Sequence, residues 1–362
     1  MKIAMLSNAA VVHTRRWVEH FRRRGHEVRL WSLEPGPADL GAERLPRLPL
    51  PGLLRYPLAA PALERALAAF GPDLVNAHYV PNYGLLGALI GRHPLVIVAW
   101  GSDLLVSGSR DALQRARARF VLGRADRVIA DSENLAAAAR ALGAAADTVV
   151  ALPWGIDLEC FRPGATREPG LLLSTRMHEP VYDLPTIIEG AGAVLTQRPE
   201  ARLVIAGDGS LRRALERLAA RRLPAGRYTF VGQLSPGELA GWLGRAELYL
   251  SAARSDSTSV SLLEAMACGA IPVVCDLEGN REWVAEGEGA RLFRAGDAAD
   301  AARALRLALA DPDWAARARA RNRREVEARA DWTANMARVE SLFESLITRD
   351  APAPRAIARR GG

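Results

Sequence analysis

Short aliphatic and β-branched runs alternate with stretches of helical period along almost the whole chain. A first series of runs lies at residues 3–6, 28–31, 74–77, 95–99, 128–130 and 149–152. A second lies at 171–174, 203–206, 228–231, 248–250, 271–274 and 291–293. Strands alternating with helices predict the α/β class, with parallel sheets covered by helices on both faces. The stretch 35–61 breaks the pattern: it holds seven of the 22 prolines and reads as a long surface loop ahead of a helix at 63–70. Between the two series, 160–170 carries Pro163, Gly164, Pro169 and Gly170, the composition of a linker. The expected organisation is therefore a first doubly wound, Rossmann-like domain at 1–165 and a second at 166–349, facing each other across a cleft. From Ala298 the pattern is helical, broken at Asp311-Pro312 and near Asp331, and is compatible with last helices that cross back to the first domain. Residues 350–362 read as a disordered tail.

A length of 362 residues suits two domains, and 49% hydrophobic with 25% charged residues describes a folded globular chain. The formal charge is +7, yet Lys2 is the only lysine among 48 basic residues, a pattern of coding bias, so nucleic acid is not expected as a partner. Locally the charge is more informative. Arg15, Arg16, Arg22, Arg23 and Arg24 flank an apolar stripe of Trp17, Val18 and Phe21, which predicts a first helix packed on a sheet with a basic outer face; contact with a membrane surface is the alternative use of that face. Cys160, Cys268 and Cys275 are odd in number and lack metal-ligand spacing, which points away from a disulfide framework and to a reducing compartment. No run of 18 apolar residues is present, and Ser7, Asn8, His13, Arg15 and Arg16 do not fit a cleaved leader. The expected location is cytoplasmic, with the inner face of the membrane as a peripheral option.

Ligands of open parallel sheets bind beyond the carboxyl ends of strands, so strand-to-helix junctions are where chemistry is sought. The most informative junction is 251–274, SAARSDSTSVSLLEAMACGAIPVV. A strand ends near Leu250, and a helix starts around Ser259, Val260 and Ser261 and stops at Gly269. Its first amides and dipole form a place for a phosphate. Ser261 and Glu264 also match a capping box, so Glu264 either folds back on the backbone or meets a ligand. At Gly207 and Gly209 the missing side chains serve either a close ligand or a tight turn. Arg176, past the 171–174 strand, carries a planar fork of donors suited to a diphosphate, or to a surface ion pair. Asp311-Pro312-Asp313 looks like a metal-binding Asp-x-Asp but sits at a helix break, where it predicts an N-terminal cap; no metal is expected.

The segment from Glu264 to Gly269, with Pro272-Val273-Val274, closely resembles the donor-site motif of the retaining glycosyltransferases of family 4, which have the GT-B fold. Further resemblances are Asp126–Ser132, Pro153-Trp154-Gly155-Ile156-Asp157 with Phe161 and Pro163, the LVIAGDG run at 203–209, and Phe230-Val231-Gly232; together they cover most of 1–335. The resemblance implies that Glu264 holds the ribose hydroxyls of a nucleotide sugar and that Phe230 lies near the base. Asp256 stands where the family has its first Glu and would face the sugar ring. The family's Lys after the Arg is absent here, where the chain reads His178-Glu179-Pro180-Val181-Tyr182. In the first domain, His13 precedes the first helix, as a loop or capping residue. Trp100-Gly101-Ser102-Asp103 replaces a His that many relatives carry near the reacting sugar. Trp100 offers a stacking face, Asp103 belongs to the same acceptor-side loop, and His78 is either an acceptor contact or a satisfied structural histidine.

The implied activity is transfer of a sugar from a nucleoside diphosphate sugar to a glycan or lipid-linked acceptor, in surface-polysaccharide or lipid-linked glycan assembly, with no cofactor. Arg176 and the Val260–Ser261 helix start would stabilise the departing diphosphate. A nucleotide-dependent oxidoreductase or kinase is opposed by the absence of Gly-x-Gly-x-x-Gly and of a P-loop. The second alternative is a non-catalytic nucleotide-sugar-binding partner subunit with the same fold.

Overall fold

The computed structural model describes residues 1–350. The tail expected at 350–362 lies, past Asp350, outside the described residues. Two sheets organise the chain. The first contains β1 (Lys2–Leu6), β2 (Glu27–Ser32), β3 (Glu43–Arg44), β4 (Leu74–His78), β5 (Leu95–Val98), β6 (Arg127–Ala130) and β7 (Val149–Ala151), in the order β3-β2-β1-β4-β5-β6-β7. The second contains β8 (Leu171–Ser174), β9 (Arg202–Ala206), β10 (Tyr228–Gly232), β11 (Leu248–Ser251), β12 (Ile271–Cys275) and β13 (Arg291–Phe293), in the order β10-β9-β8-β11-β12-β13. Pairing is parallel in both, with Ile3 opposite Val28 and Leu74, and Leu172 opposite Leu203 and Leu248. In each sheet the order reverses beside a central strand, the topology that opens a binding crevice at the carboxyl ends.

The inner strands of the second sheet are buried on both faces. Leu172, Leu203, Ile205, Leu248 and Leu250 point into one apolar layer, while Leu171, Leu173, Val204 and Tyr249 point into the other. This period of two explains why the strands read as unbroken apolar runs rather than as alternating ones.

The described chain forms two compact units: Met1–Ile129, Ala139–Val150 and Met336–Asp350 in one, and Ala130–Ala138 with Ala151–Asn335 in the other. The boundary expected at 165 is thus displaced to Val150. The reason is packing: Ile156 and Phe161 are buried in the second unit's core, Ile156 bridges Asp331, and a side chain on Gly164 would meet the Gly244 carbonyl at 2.6 Å. Proline and glycine at 160–170 serve this close docking, not a free linker. The three last helices, Ala298–Ala310, Pro312–Arg329 and Trp332–Asp350, break where the pattern placed the breaks. Asp311 caps the second of them, its Oδ1 accepting from the Trp314 amide at 2.8 Å.

The proline-rich stretch departs from its expected loop. It contains a short 3-10 turn (Ala38–Leu40), the two-residue β3, and a helix that starts at Gly52 and runs to Phe70 with Pro57 and Pro61 inside it. Each proline removes one helical hydrogen bond, but Tyr56, Ala59, Leu63, Leu67 and Phe70 form a buried stripe at helical spacing, and tertiary burial outweighs the local penalty.

The first helix, Val12–Arg23, buries Trp17, Val18 and Phe21 as the periodicity requires. Much of its basic face has partners within the same unit: Arg15 pairs with Glu19 and Asp39, Arg22 donates to the Val28 and Leu40 carbonyls, and Arg24 meets Glu340 at 3.0 Å. That accounts for the arginine cluster as a structural feature. Among the described residues no helix is long and apolar enough to cross a membrane.

Gly155 has a left-handed φ of +84°, and a Cβ there would lie 2.5 Å from the Ala330 carbonyl oxygen. Gly155→Ala should therefore lower the stability of the second unit by about 2–4 kcal/mol, from left-handed strain plus overpacking, read as a reduced urea midpoint; an unchanged midpoint would show that the loop relaxes freely.

Candidate active site

In the second unit the site grows from the end of β11. Ser259 is the N-cap of the Val260–Cys268 helix, and Gly269 closes it at φ +80°. Ser261 is therefore the second helical residue, and Leu262, not Glu264, occupies the capping-box position, so the capping alternative for Ser261 and Glu264 falls. Every other residue of this helix is buried; Val260, Ser261 and Glu264 remain partly exposed, and at i, i+1 and i+4 they share one face.

Ser259 is a residue type that usually caps with its side chain, yet it makes no such bond here. Its hydroxyl instead accepts from Arg176 Nη1 at 2.6 Å, and the same nitrogen reaches Ser261 Oγ at 2.7 Å. Arg176 Nη2 donates to Asp256 Oδ2 at 2.7 Å, and the guanidinium carbon lies 4.2 Å from the centroid of the Tyr182 ring. Tyr249 Oη shares a 2.7 Å hydrogen bond with Ser261 Oγ. Arg176 is buried; burial works against its charge, but Asp256, Tyr249 and Tyr182 outweigh that and hold it protonated above its ordinary value. The two charges expected to act separately, Arg176 and Asp256, are thus one ion pair. Tyr182 stacks on the guanidinium in the loop that lacks the family's Lys.

The rest of the 256–259 loop is equally pinned. Ser257 Oγ donates to Asp131 Oδ2 at 3.0 Å, and Thr258 Oγ1 donates to the Asp131 carbonyl at 2.5 Å. Ser174 Oγ and Thr175 Oγ1, immediately before Arg176, are buried without a protein partner and would be met by water or a ligand.

Gly207 and Gly209 have φ of +105° and +157°, and side chains on them would meet the Arg176 carbonyl and the His178 carbonyl at 2.7 Å. Their missing side chains make room for the protein's own backbone, which is the tight-turn alternative of the two readings. Glu179 fastens the same turn by accepting from Ser210 N and Oγ at 2.8 and 2.6 Å. Phe230, on β10, is partly buried, edge-on to His178 at 5.9 Å and covered by the Arg212 guanidinium at 4.8 Å.

In the first unit a cavity of about 240 Å³ opens at the carboxyl ends of β1, β2, β4 and β5. Asn8, Glu34, Tyr56, Asn82, Tyr83 and Trp100 contribute to its wall, and so does Tyr79, whose φ of +68° is strained for a residue with a side chain. His78 also reaches this wall, but its ring is fully buried: Nδ1 accepts from Trp100 Nε1 at 3.2 Å and Nε2 donates to Asn76 Oδ1 at 2.8 Å. With its ring enclosed and both nitrogens bonded within the protein, His78 fits the satisfied structural histidine of the two expected readings, and it positions Trp100. Asp103 is buried too; its carboxylate accepts from the Val80 and Trp100 amides at 3.0 Å each, while burial pushes its pKa up to about 6. It ties two loops together and is not an acceptor contact. His13 stands edge-on to Trp100 at 5.9 Å, and burial, helped by Arg16, lowers its pKa to about 4. Sequence reading missed Tyr249, Tyr182, Glu34 and the tyrosine pair: Tyr249 sits in an apolar run, and only the register of β11 against the following helix reveals that its hydroxyl reaches Ser261.

Burial holds His78 at a pKa of about 3 against its ordinary 6.5, so it is neutral at physiological pH. Its contribution to stability is complete above pH 6.5 and declines as pH falls toward about 3, because only the unfolded chain takes up the proton in that window. In a proton NMR titration its ring resonances should stay fixed from pH 8 to about 5; movement with a midpoint near 6.5 would contradict the buried, doubly bonded ring.

The family model described as "Glycosyltransferase Family 4" matches residues 10–160, and that described as "Glycosyl transferases group 1" matches 161–325. D-inositol 3-phosphate glycosyltransferase 2 of Catenulispora acidiphila is 29% identical over 247 residues, 63% of this chain and 58% of that protein. The chain spans about half the length of the curated relatives it matches. Among solved structures, sucrose-phosphate synthase from Thermosynechococcus elongatus superposes with a TM-score of 0.82 at 21% identity, over 96% of this chain and all of the other. Anabaena HepE in complex with UDP and glucose gives 0.80 at 18% identity, with the same coverages. The two sheets have the GT-B architecture, and the chain belongs to the family-4 glycosyltransferases.

Proposed function

We propose that this chain is a retaining glycosyltransferase that moves a sugar from a nucleoside diphosphate sugar to a glycan or lipid-linked acceptor. One observation carries the reading: the Val260–Cys268 helix leaves only Val260, Ser261 and Glu264 partly exposed, and its N-cap hydroxyl is diverted to a buried arginine. Helix amides not served by a capping side chain attract an anion, and the dipole favours the diphosphate there. Glu264, one turn further in, would accept from the ribose hydroxyls. Arg176 holds Ser259 and Ser261 in place, and its cationic field acts on the same helix start, where negative charge grows as the sugar–phosphate bond breaks. Asp256 fixes the guanidinium through Oδ2, and its other carboxylate oxygen would meet the sugar. No protein nucleophile is required by a front-face displacement, and stabilisation of the departing charge by the helix amides calls for no metal. One neighbour supports the sugar-nucleotide reading: the HepE structure contains UDP and glucose. The acceptor would enter the cavity beside Trp100 in the first unit. Seating at the inner face of a membrane fits a lipid-linked acceptor.

The test is calorimetric titration with UDP-, GDP-, ADP- and dTDP-sugars alongside nucleotide release. Glu264→Ala should weaken donor binding by about 1–3 kcal/mol; a folded variant with unchanged affinity removes Glu264 from the site. Donor binding with neither transfer nor hydrolysis would favour the non-catalytic partner, and no binding of any nucleotide sugar overturns the proposal.

A further inference from the structure

The first-unit cavity has a charge character of its own. Glu34, just past β2, brings a carboxylate to its wall. Tyr56 Oη donates to Glu34 Oε1 at 3.2 Å, and Tyr83 Oη donates to Glu34 Oε2. Tyr83 is itself fixed by the Leu33 amide, which donates to its hydroxyl at 2.9 Å, and by Ser32 Oγ at 3.1 Å. Burial and then Glu34 raise the Tyr83 pKa, so its hydroxyl stays protonated. The other polar groups of the wall, on Ser7, Asn8 and Asn82, are neutral, and His78 is neutral because it is buried. Among the described residues no arginine or lysine lines the cavity; Arg55 and Arg117, whose charges act on Tyr56, are not part of the wall.

From this we infer that the cavity selects an acceptor whose sugar-receiving end is an uncharged polyol, and that Glu34 is the residue that discriminates against a phosphorylated one. A carboxylate held by two tyrosines in a partly enclosed space accepts hydrogen bonds from vicinal hydroxyls, and Trp100 offers an apolar face to the C–H side of a sugar ring. A phosphate in the same space would meet a like charge with no cation on the wall to offset it, so selectivity comes from repulsion as much as from attraction. The inference rests on the proposed transferase reading for its word "acceptor", but the binding preference of the cavity is measurable without turnover.

The experiment uses matched probes, methyl α-D-glucopyranoside with its 6-phosphate and myo-inositol with its 1-phosphate, and reads binding to the full chain by saturation-transfer NMR, with transfer from the preferred donor as a second readout. The neutral member of each pair should bind at least tenfold more tightly. Glu34→Gln should shrink that ratio to about threefold or less. Because loss of the carboxylate could loosen the tyrosine pair, Asn82→Lys provides an independent variant: a cation added to the wall should bring the phosphorylated member level with the neutral one. Tighter binding of either phosphate by the unmodified chain, or a ratio that neither variant moves, overturns the inference. Failure of donor binding, measured separately, would sink the transferase reading while leaving the cavity's preference standing or falling on its own result.

Discussion

A guanidinium taken out of water must find partners, and in the second unit nearly everything of interest follows from how Arg176 finds them. The cost of burying such a charge is several kcal/mol unless it is paired and hydrogen-bonded. Asp256 supplies the countercharge, Ser259 and Ser261 supply acceptors, and Tyr182 supplies a ring face. The result is a helix start whose capping hydroxyl points at an arginine. Remove the arginine and that hydroxyl would regain its ordinary use, closing the end of the helix on itself. The uncapped helix start is therefore a by-product of satisfying one buried cation, and the loop from Asp256 to Ser259 is rigid because each of its four side chains is held: two by Arg176 and two by Asp131.

The same economy governs the first unit, with the sign reversed. There the buried charge is the Asp103 carboxylate, satisfied by two backbone amides, and it fixes the loop that carries Trp100 to the loop that carries Tyr79. His78 and Trp100 lock to one another through an indole–imidazole hydrogen bond. Aromatic and polar groups at the cavity are thus presented by a framework whose own hydrogen-bonding needs are already met.

The strands were legible because they are buried on both faces: a parallel sheet between helix layers has to be written in aliphatic runs, and such runs stand out from an arginine- and alanine-rich background. The helix with Pro57 and Pro61 was not legible, because local propensity opposes it and only the buried stripe from Tyr56 to Phe70 favours it. Around the candidate site, the residues that start and line the Val260–Cys268 helix could be read from spacing and from resemblance. What could not be read was pairing across distance: that Arg176 and Asp256, 80 positions apart, form one ion pair, or that Gly207 and Gly209 make room for a neighbouring backbone.

Tyr249 occupies a peculiar post. Its ring is wholly enclosed in the apolar layer, in register with Leu173 of the neighbouring strand, while its hydroxyl holds Ser261 at the mouth of the helix. One side chain is then both a brick of the interior and a strut of the working surface. Repacking that layer, at Leu173 for instance, would be transmitted along a rigid phenol ring, so evolution cannot tune the hydrocarbon interior and the handling of ligand as separate traits.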